Sequence, residues 1–246
     1  MENEARTEIE ERTRTEVLRE NHLRVAGRIA DAEREAGRAP GSTLLLAAVK
    51  SADAETVSLL HRECGIQHIG ENRVQQLLSR CERFSEEGLK VHMIGSLQRN
   101  KVRAIIDRVV MIESLDSLPL AAEIDRRAQE HGIVMDVLCE VNSGQETNKG
   151  GVLPKDLPAF CEALAGFSHI RLMGMMTMAP KCETEDAYRP YFAFTRELAF
   201  RVFREVLGRT DDPVLSMGMS DSYVPAILEG ATSVRVGRTL FRDLPD

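Results

Sequence analysis

Lys50 carries the most chemical information of any residue in this sequence. It ends the apolar run Leu44–Val49, which is typical of a buried parallel strand, and Ser51 begins a polar turn after it. In α/β folds the carboxyl ends of such strands form the functional site, and a lysine amine placed there can be desolvated into a nucleophile. The same position also suits a solvated strand end, so Lys50 alone leaves both interpretations open.

Two later segments have the composition of anion-binding loops. The first, 218–221, places a glycine and the hydroxyl of Ser220 at the start of a predicted helix, where free N–H groups and the helix dipole attract a phosphate. Ser220 is equally suited to cap that helix. In the second loop, Gly237 exposes backbone N–H beside the guanidinium of Arg238 and the hydroxyl of Thr239. Together the loops predict a phosphate site.

Arg235 lies within the last apolar run, two residues before Gly237. Alternation along a strand places both residues on the same face. An arginine buried there needs a partner, because an unpaired buried charge is costly. The partner is either an atom of a ligand or an internal carboxylate, for which Glu71 and Glu140 are the candidates.

The elements that must position these residues alternate regularly between strands and helices. Apolar runs that predict strands recur eight times, at 44–49, 66–69, 91–94, 109–112, 134–141, 170–176, 214–216 and 233–236. Helical patterns separate them, at 55–64, 73–87, 98–107, 117–131, 155–165, 186–207 and 220–229. The alternation predicts a single (β/α)8 TIM barrel, with a doubly wound open sheet as the alternative. A charged stretch at about 6–37 predicts an extra N-terminal helix, so we interpret 1–246 as one barrel domain with about 1–40 packed on or beside it.

Composition excludes several classes of protein. The net charge of −7 offers no general attraction to nucleic acid, and no apolar run reaches the length of a membrane span. The five cysteines are odd in number and form no CxxC pair, which argues against a disulfide framework or a metal site. The first residues are charged and lack an apolar signal region, so we expect a cytoplasmic protein without nucleic-acid or membrane partners.

An ordered set of motifs carries a family resemblance. The set comprises Ala48-Val49-Lys50, Gly70-Glu71-Asn72, the segment 92–101, Val141-Asn142 with Lys149-Gly150-Gly151, and the segments 174–178, 216–220 and 234–237. In this order, over about residues 20 to 241, it resembles the pyridoxal phosphate homeostasis protein family, whose barrel is similar to the N-terminal domain of bacterial alanine racemases.

The resemblance implies pyridoxal phosphate as the cofactor and assigns roles to individual residues. Lys50 forms the Schiff base, Ser220 and Gly237 hold the phosphate, and Arg235 faces the pyridine nitrogen. Asn72 lies beside the ring, and His92 and Met219 are further lining residues. After Gly237 the family usually has Thr or Ser, whereas this sequence has Arg238 and then Thr239. Either residue is therefore a candidate phosphate ligand.

The resemblance further implies a non-catalytic carrier that acts in vitamin B6 and amino-acid homeostasis. Apo-enzymes that use the cofactor are its expected recipients, and a monomer or weak dimer its expected state. Racemisation needs two bases on opposite faces of the substrate, and an arginine opposite the ring nitrogen leaves that nitrogen unprotonated and the ring a poorer electron sink. The first alternative is a weak amino-acid racemase or related lyase with Lys50 and Tyr223 as bases. The second is a barrel that binds a phosphorylated metabolite without a covalent bond.

Overall fold

The computed structural model describes residues 2–147 and 149–245, with side chains described from Thr13 onwards. Eight parallel strands form a closed barrel in chain order. The strands are β1 Leu44–Ala48, β2 His68–Glu71, β3 Lys90–Met93, β4 Met111–Leu115, β5 Met135–Val141, β6 Ile170–Thr177, β7 Val214–Met219 and β8 Ser233–Val236.

Helices cover the outside of this barrel. They are α1 Glu2–Glu35, α2 Ala54–Cys64, α3 Val74–Glu86, α4 Arg99–Val102, α5 Leu118–His131, α6 Leu157–Leu164, α7 Arg189–Arg201 and α8 Tyr223–Leu228. A 3₁₀ turn, Asp186–Tyr188, precedes α7, and a π-helical turn, Val202–Val206, follows it. None of the helices in the described ranges combines the length and apolarity needed to cross a bilayer.

The pairing of β1 with β8 closes the barrel and confirms the predicted (β/α)8 fold. Leu45 lies opposite Val234, and Leu46 lies opposite Arg235. An open doubly wound sheet has two edge strands, so this pairing rules out the alternative. The apolar runs that predicted the strands fill the core on both sides of the barrel wall, as expected for parallel strands that are buried on both faces.

The N-terminal helix α1 packs on the barrel. Leu18, Val25, Ile29 and Ala32 form its buried face, and they follow the helical repeat. This face contacts α2 and α8. The amide Nδ2 of the buried Asn21 also donates to the carbonyl oxygens of Leu240 and Arg242, at 3.2 and 2.8 Å. These bonds fasten α1 to the segment that follows β8.

Several predicted boundaries were wrong at the carboxyl ends of the strands. β7 continues to Met219, so the predicted helix at 220–229 begins only at Tyr223, after a turn in which Ser222 N–H donates to the Met219 carbonyl oxygen. The predicted helix at 98–107 is the single turn α4, whose N-cap residue Gln98 makes no side-chain capping bond. Strand β2 likewise extends to Glu71. Charged and polar residues thus lie inside strands where the apolar pattern had already ended.

Candidate functional site

A cleft of about 560 Å³ opens where the ends of β1, β7 and β8 meet, and we refer to it as the Lys50 cleft. Six of the nine predicted site residues line it, namely Lys50, Met219, Ser220, Arg235, Gly237 and Arg238. A larger but shallower depression between α4 and α5 is lined by none of the nine. The barrel therefore brings together residues that are up to 188 positions apart in sequence.

Lys50 lies in the turn after β1, two residues beyond the end of the strand. Its side chain is exposed at the edge of the cleft, so the expected desolvation of the amine is not found. Within the described residues its Nζ forms no ion pair. The main chain around it is held firmly, because Gln76 Nε2 donates to the Lys50 carbonyl oxygen at 3.2 Å. The amine is thus a free group on a fixed turn.

Arg235 lies on the floor of the cleft and is 4 % exposed. Nη1 donates to the carbonyl and hydroxyl oxygens of Ser216, at 2.7 and 2.6 Å, and Nη2 donates to the Thr177 carbonyl oxygen at 2.8 Å. Burial lowers the pKa of Arg235, while the negative charges of Glu113 and Glu140 oppose that shift. In the described part of the chain Nε–H and the second N–H of Nη2 meet no acceptor, so these donors of a fixed guanidinium remain available to a ligand.

Neither carboxylate considered from the sequence is a direct partner of Arg235. Glu71 instead forms a buried ion pair with Arg80 on α3. Glu140 influences Arg235 through its charge alone. The prediction of an internal salt bridge was therefore wrong for both residues. The reason is that main-chain carbonyl oxygens and a serine hydroxyl accept from Nη1 and Nη2 of Arg235.

The two predicted anion loops face each other across the cleft. Within the described chain, the backbone N–H groups of Ser220, Gly237 and Arg238 meet no hydrogen-bond acceptor. Gly237 is required for close approach, since a Cβ there would lie 2.6 Å from the Ala48 carbonyl oxygen. Arg238 forms an exposed ion pair with Asp221 of the opposite loop. Unpaired N–H groups beside a cationic side chain form a concave site that suits an anion.

Ser220 does not cap α8, because the N-cap position belongs to Ser222. The hydroxyl of Ser220 accepts a long hydrogen bond from the backbone N–H of Thr239, at 3.4 Å. The hydroxyl of Ser222 instead accepts from the Met219 N–H at 3.1 Å. The capping interpretation of Ser220 was therefore wrong, and its hydroxyl is left with only a weak partner inside the loop.

Three predicted site residues do not line the cleft. Asn72 is half-buried in the loop after β2, and Thr239 contacts Ser220 through its backbone N–H. His92 is buried inside the barrel. Its Nδ1 lies 2.8 Å from Glu113 Oε1, and its Nε2 lies 2.9 Å from His68 Nδ1. Both ring nitrogens of His92 are thus engaged within the protein.

Tyr188 is a cleft residue that the sequence did not indicate. It lies in the 3₁₀ turn before α7, within the segment 186–207 whose pattern predicted a helix. Tyr223, the tyrosine considered as a second base, is buried away from the cleft with the Arg28 guanidinium over its ring. Burial also raises the pKa of Tyr223. No periodicity in the sequence distinguishes these two tyrosines, because only the folded loops decide which one reaches the cleft.

Comparison with known proteins gives matches over most of the chain. Residues 29–245 match the family model of the alanine racemase N-terminal domain. A pyridoxal phosphate homeostasis protein of Aquifex aeolicus is 43% identical over 218 residues, which cover 89% of this chain and 94% of the relative.

Two solved structures have the same fold over most of their length. An unknown protein from Bifidobacterium adolescentis superimposes with a TM-score of 0.84 and 34% identity, covering 93% of this chain and 96% of its own. PipY of Synechococcus elongatus, solved with pyridoxal phosphate bound, has a TM-score of 0.76 and 30% identity and covers 87% of this chain and all of its own. Because the matches extend over nearly the whole chain at these identities, the chain belongs to the pyridoxal phosphate homeostasis proteins, within the alanine racemase N-terminal domain family.

Proposed function

We propose that this chain is a pyridoxal phosphate carrier that holds the cofactor in the Lys50 cleft as a Schiff base on Lys50 Nζ. The observation that carries the proposal is the meeting of three groups in one cleft. These groups are an unpaired lysine amine, a buried guanidinium with a free Nε–H, and a set of unpaired backbone N–H groups. PipY, which has this fold at 30% identity, was solved with pyridoxal phosphate bound.

The residues of the cleft fit the chemistry of the cofactor. Its phosphate needs donors close to the main chain, which Ser220, Gly237 and Arg238 supply. Its aldehyde needs an amine, which Lys50 supplies. Its pyridine nitrogen needs one polar partner, which the Nε–H of Arg235 supplies. When bound, pyridoxal phosphate supplies an electron sink for reactions at the α-carbon of amino acids.

The chain's own residues favour carrying over turnover. Arg235 donates a hydrogen bond and does not give up its proton, so it holds the ring nitrogen unprotonated. Tyr223 is buried away from the cleft, which removes it as the second base of a racemase. The enzyme alternative then depends on Tyr188, which is among the residues that line the cleft. Exchange of the α-proton of bound alanine or serine tests this alternative, with Tyr188→Phe as the variant.

The decisive experiment is reductive trapping. We expect the purified protein to absorb at about 420 nm, as a protonated lysine adduct of the cofactor does. Borohydride should bleach the band and leave the label on the peptide that contains Lys50. Lys50→Ala should abolish both signals, while Lys149→Ala, at an exposed lysine paired with Glu146, should change neither. A label on Lys149 or Lys101 would contradict the assignment, and binding without any label would favour a non-covalent phosphorylated ligand.

We further propose that the protein delivers its cofactor to other enzymes. The recipients are apo-enzymes that use pyridoxal phosphate, in the cytoplasm, and the carrier is a monomer or weak dimer. Protein loaded with the cofactor should restore the activity of such an apo-enzyme faster than free cofactor does. The free cofactor is supplied at the concentration that the loaded protein releases by itself. Equal rates would mean that this chain stores the cofactor without delivering it.

A further inference from the structure

A continuous chain of hydrogen bonds crosses the interior of the barrel and ends at Arg235. It starts at His68, at the amino end of β2, and passes to His92 on β3 at 2.9 Å. His92 contacts Glu113 Oε1 on β4 at 2.8 Å. Ser216 Oγ on β7 donates to Glu113 Oε2 at 2.6 Å. The same hydroxyl accepts from Arg235 Nη1 at 2.6 Å, so residues of five strands form one network.

Glu113 is the anionic member of this chain. It is 1 % exposed. Burial opposes its ionisation, but the hydrogen bond and charge interaction with His92, the charge of Arg235 and the Ser216 hydroxyl hold the pKa of Glu113 below its usual value. A buried carboxylate and a buried guanidinium therefore share one serine as their bridge. Charges buried in this way persist only when paired and hydrogen-bonded.

The bridge fixes the direction of the guanidinium. The single proton of Ser216 is committed to Glu113, so its oxygen presents lone pairs to Arg235 Nη1. The carbonyl oxygens of Ser216 and Thr177 accept from Nη1 and Nη2 and so fix the orientation of the planar guanidinium. Nε–H and one N–H of Nη2 are left without a partner in the described residues, on an arginine that lines the cleft. Loss of the carboxylate would free the serine proton and remove one of the two negative charges that act on Arg235.

We infer that Glu113, acting through Ser216, is a positioning residue that aims Arg235 Nε–H at the ring nitrogen of the bound cofactor. The inference rests on the proposed binding of pyridoxal phosphate. It goes further by assigning ring-nitrogen recognition to a carboxylate that does not line the cleft.

The test compares two ligands. One is pyridoxal phosphate, and the other is its analogue with C–H in place of the ring nitrogen, which keeps the aldehyde and the phosphate. We expect the wild-type protein to bind pyridoxal phosphate about tenfold more tightly, the ratio expected for one hydrogen bond from a charged donor. In Glu113→Gln and Ser216→Ala this ratio should fall towards one, with affinity for the analogue changed less than twofold. The absorption maximum of the bound cofactor should shift in the same two variants.

Glu140→Gln is the matched control. Glu140 is also buried and its charge also reaches Arg235, but within the described residues it forms no hydrogen bond with Ser216, which is the residue that links Glu113 to the guanidinium. The control should keep the tenfold ratio. If the ratio of the two affinities in Glu140→Gln also fell towards one, net charge alone would explain the effect and the inference would be overturned. A tenfold ratio retained in Ser216→Ala would overturn the inference as well.

Two further outcomes separate this inference from the proposed function. If wild-type protein bound both ligands equally, the role of Arg235 and hence the inference would be wrong, whereas cofactor binding would stand. If it bound neither, the proposed function itself would be wrong, and the inference with it. Urea midpoints identify any variant that fails to fold. If Glu113→Gln is one of these, the comparison of Ser216→Ala with Glu140→Gln still decides.

Discussion

Arg80 and Glu71 form an ion pair buried in the barrel wall, with Arg80 Nε 2.6 Å from Glu71 Oε1. The same guanidinium donates from Nη1 to the Ala52 carbonyl oxygen at 2.7 Å and from Nη2 to the Val49 carbonyl oxygen at 3.1 Å. Those two carbonyl groups flank Lys50 in sequence. One arginine on α3 therefore ties the end of β2 to the turn that carries the proposed attachment lysine.

Removing this arginine should destabilise the fold. In Arg80→Met the Glu71 carboxylate would remain buried without its partner, and breaking a buried pair from one side costs about 3–5 kcal/mol. Urea unfolding at pH 7 measures the loss. The double variant Arg80→Met with Glu71→Leu should recover most of it, because an apolar pair can replace a buried ionic one. A double variant as unstable as the single one would show that the carbonyl contacts matter more than the charge.

Ser220→Ala should weaken retention of the phosphorylated cofactor. The hydroxyl has only a 3.4 Å contact within the loop, so a phosphate would gain a charge-assisted hydrogen bond worth about 1.5–3 kcal/mol. Titration of the variant with pyridoxal phosphate and with pyridoxal should show the loss chiefly for the former. Ser222→Ala, which removes the bond to the Met219 N–H, should affect both ligands equally. Equal losses in Ser220→Ala would exclude Ser220 as a phosphate ligand.

Gly237→Ala should distort the proposed phosphate-binding loops through a steric clash. The added Cβ would lie 2.6 Å from the Ala48 carbonyl oxygen, so β1 and the segment after β8 must separate. Overpacking of this kind costs about 1–3 kcal/mol, and the cleft should lose cofactor affinity as well. Gly27→Ala is the control, since a Cβ at that exposed position of α1 meets no atom within 4 Å. It should raise stability by about 0.5–1 kcal/mol. Similar midpoints for the two variants would contradict the proposed clash.

The sequence predicted the fold more fully than the interior of the site. Runs such as Leu44–Val49 alternate with helical patterns, which indicates parallel strands joined by crossovers, and eight such strands favour a barrel over an open sheet. The connection from His92 through Glu113 and Ser216 to Arg235 was not predicted. These residues lie on four different strands, and only the closed barrel brings their side chains together.

Tyr188 and Lys50 show a second reason why the sequence predicted the site less fully than the fold. The position of Tyr188 depends on a 3₁₀ turn that interrupts a helical pattern. Hydrophobic periodicity does not reveal a change that is confined to a single turn. Lys50 lies beyond the end of β1, where exposure depends on how the neighbouring loops fold. Element type follows from periodicity, whereas loop geometry follows from contacts distant in sequence.

His68 should make folding stability depend on pH. Its pKa is lowered from 6.5 to about 4, mainly by burial and further by His92 and Lys90 on β3, while Glu113 on β4 acts in the opposite direction. Between pH 6.5 and 4 the unfolded chain therefore binds a proton that the folded chain does not. The free energy of unfolding must then fall as the pH is lowered through this window.

From pH 7 to pH 5 we expect a loss on the order of 1–2 kcal/mol from this half-buried ring, since each unit of pKa difference is worth about 1.4 kcal/mol before solvent screening. Urea unfolding at several pH values measures the slope, and His68→Gln provides the comparison. The variant loses the contact with His92, so the two proteins are compared by slope rather than by absolute stability. Glu71 and Glu140, whose pKa values burial raises, contribute equally to both slopes. The same slope in both proteins would show that His68 takes up its proton as readily in the barrel as in the unfolded chain.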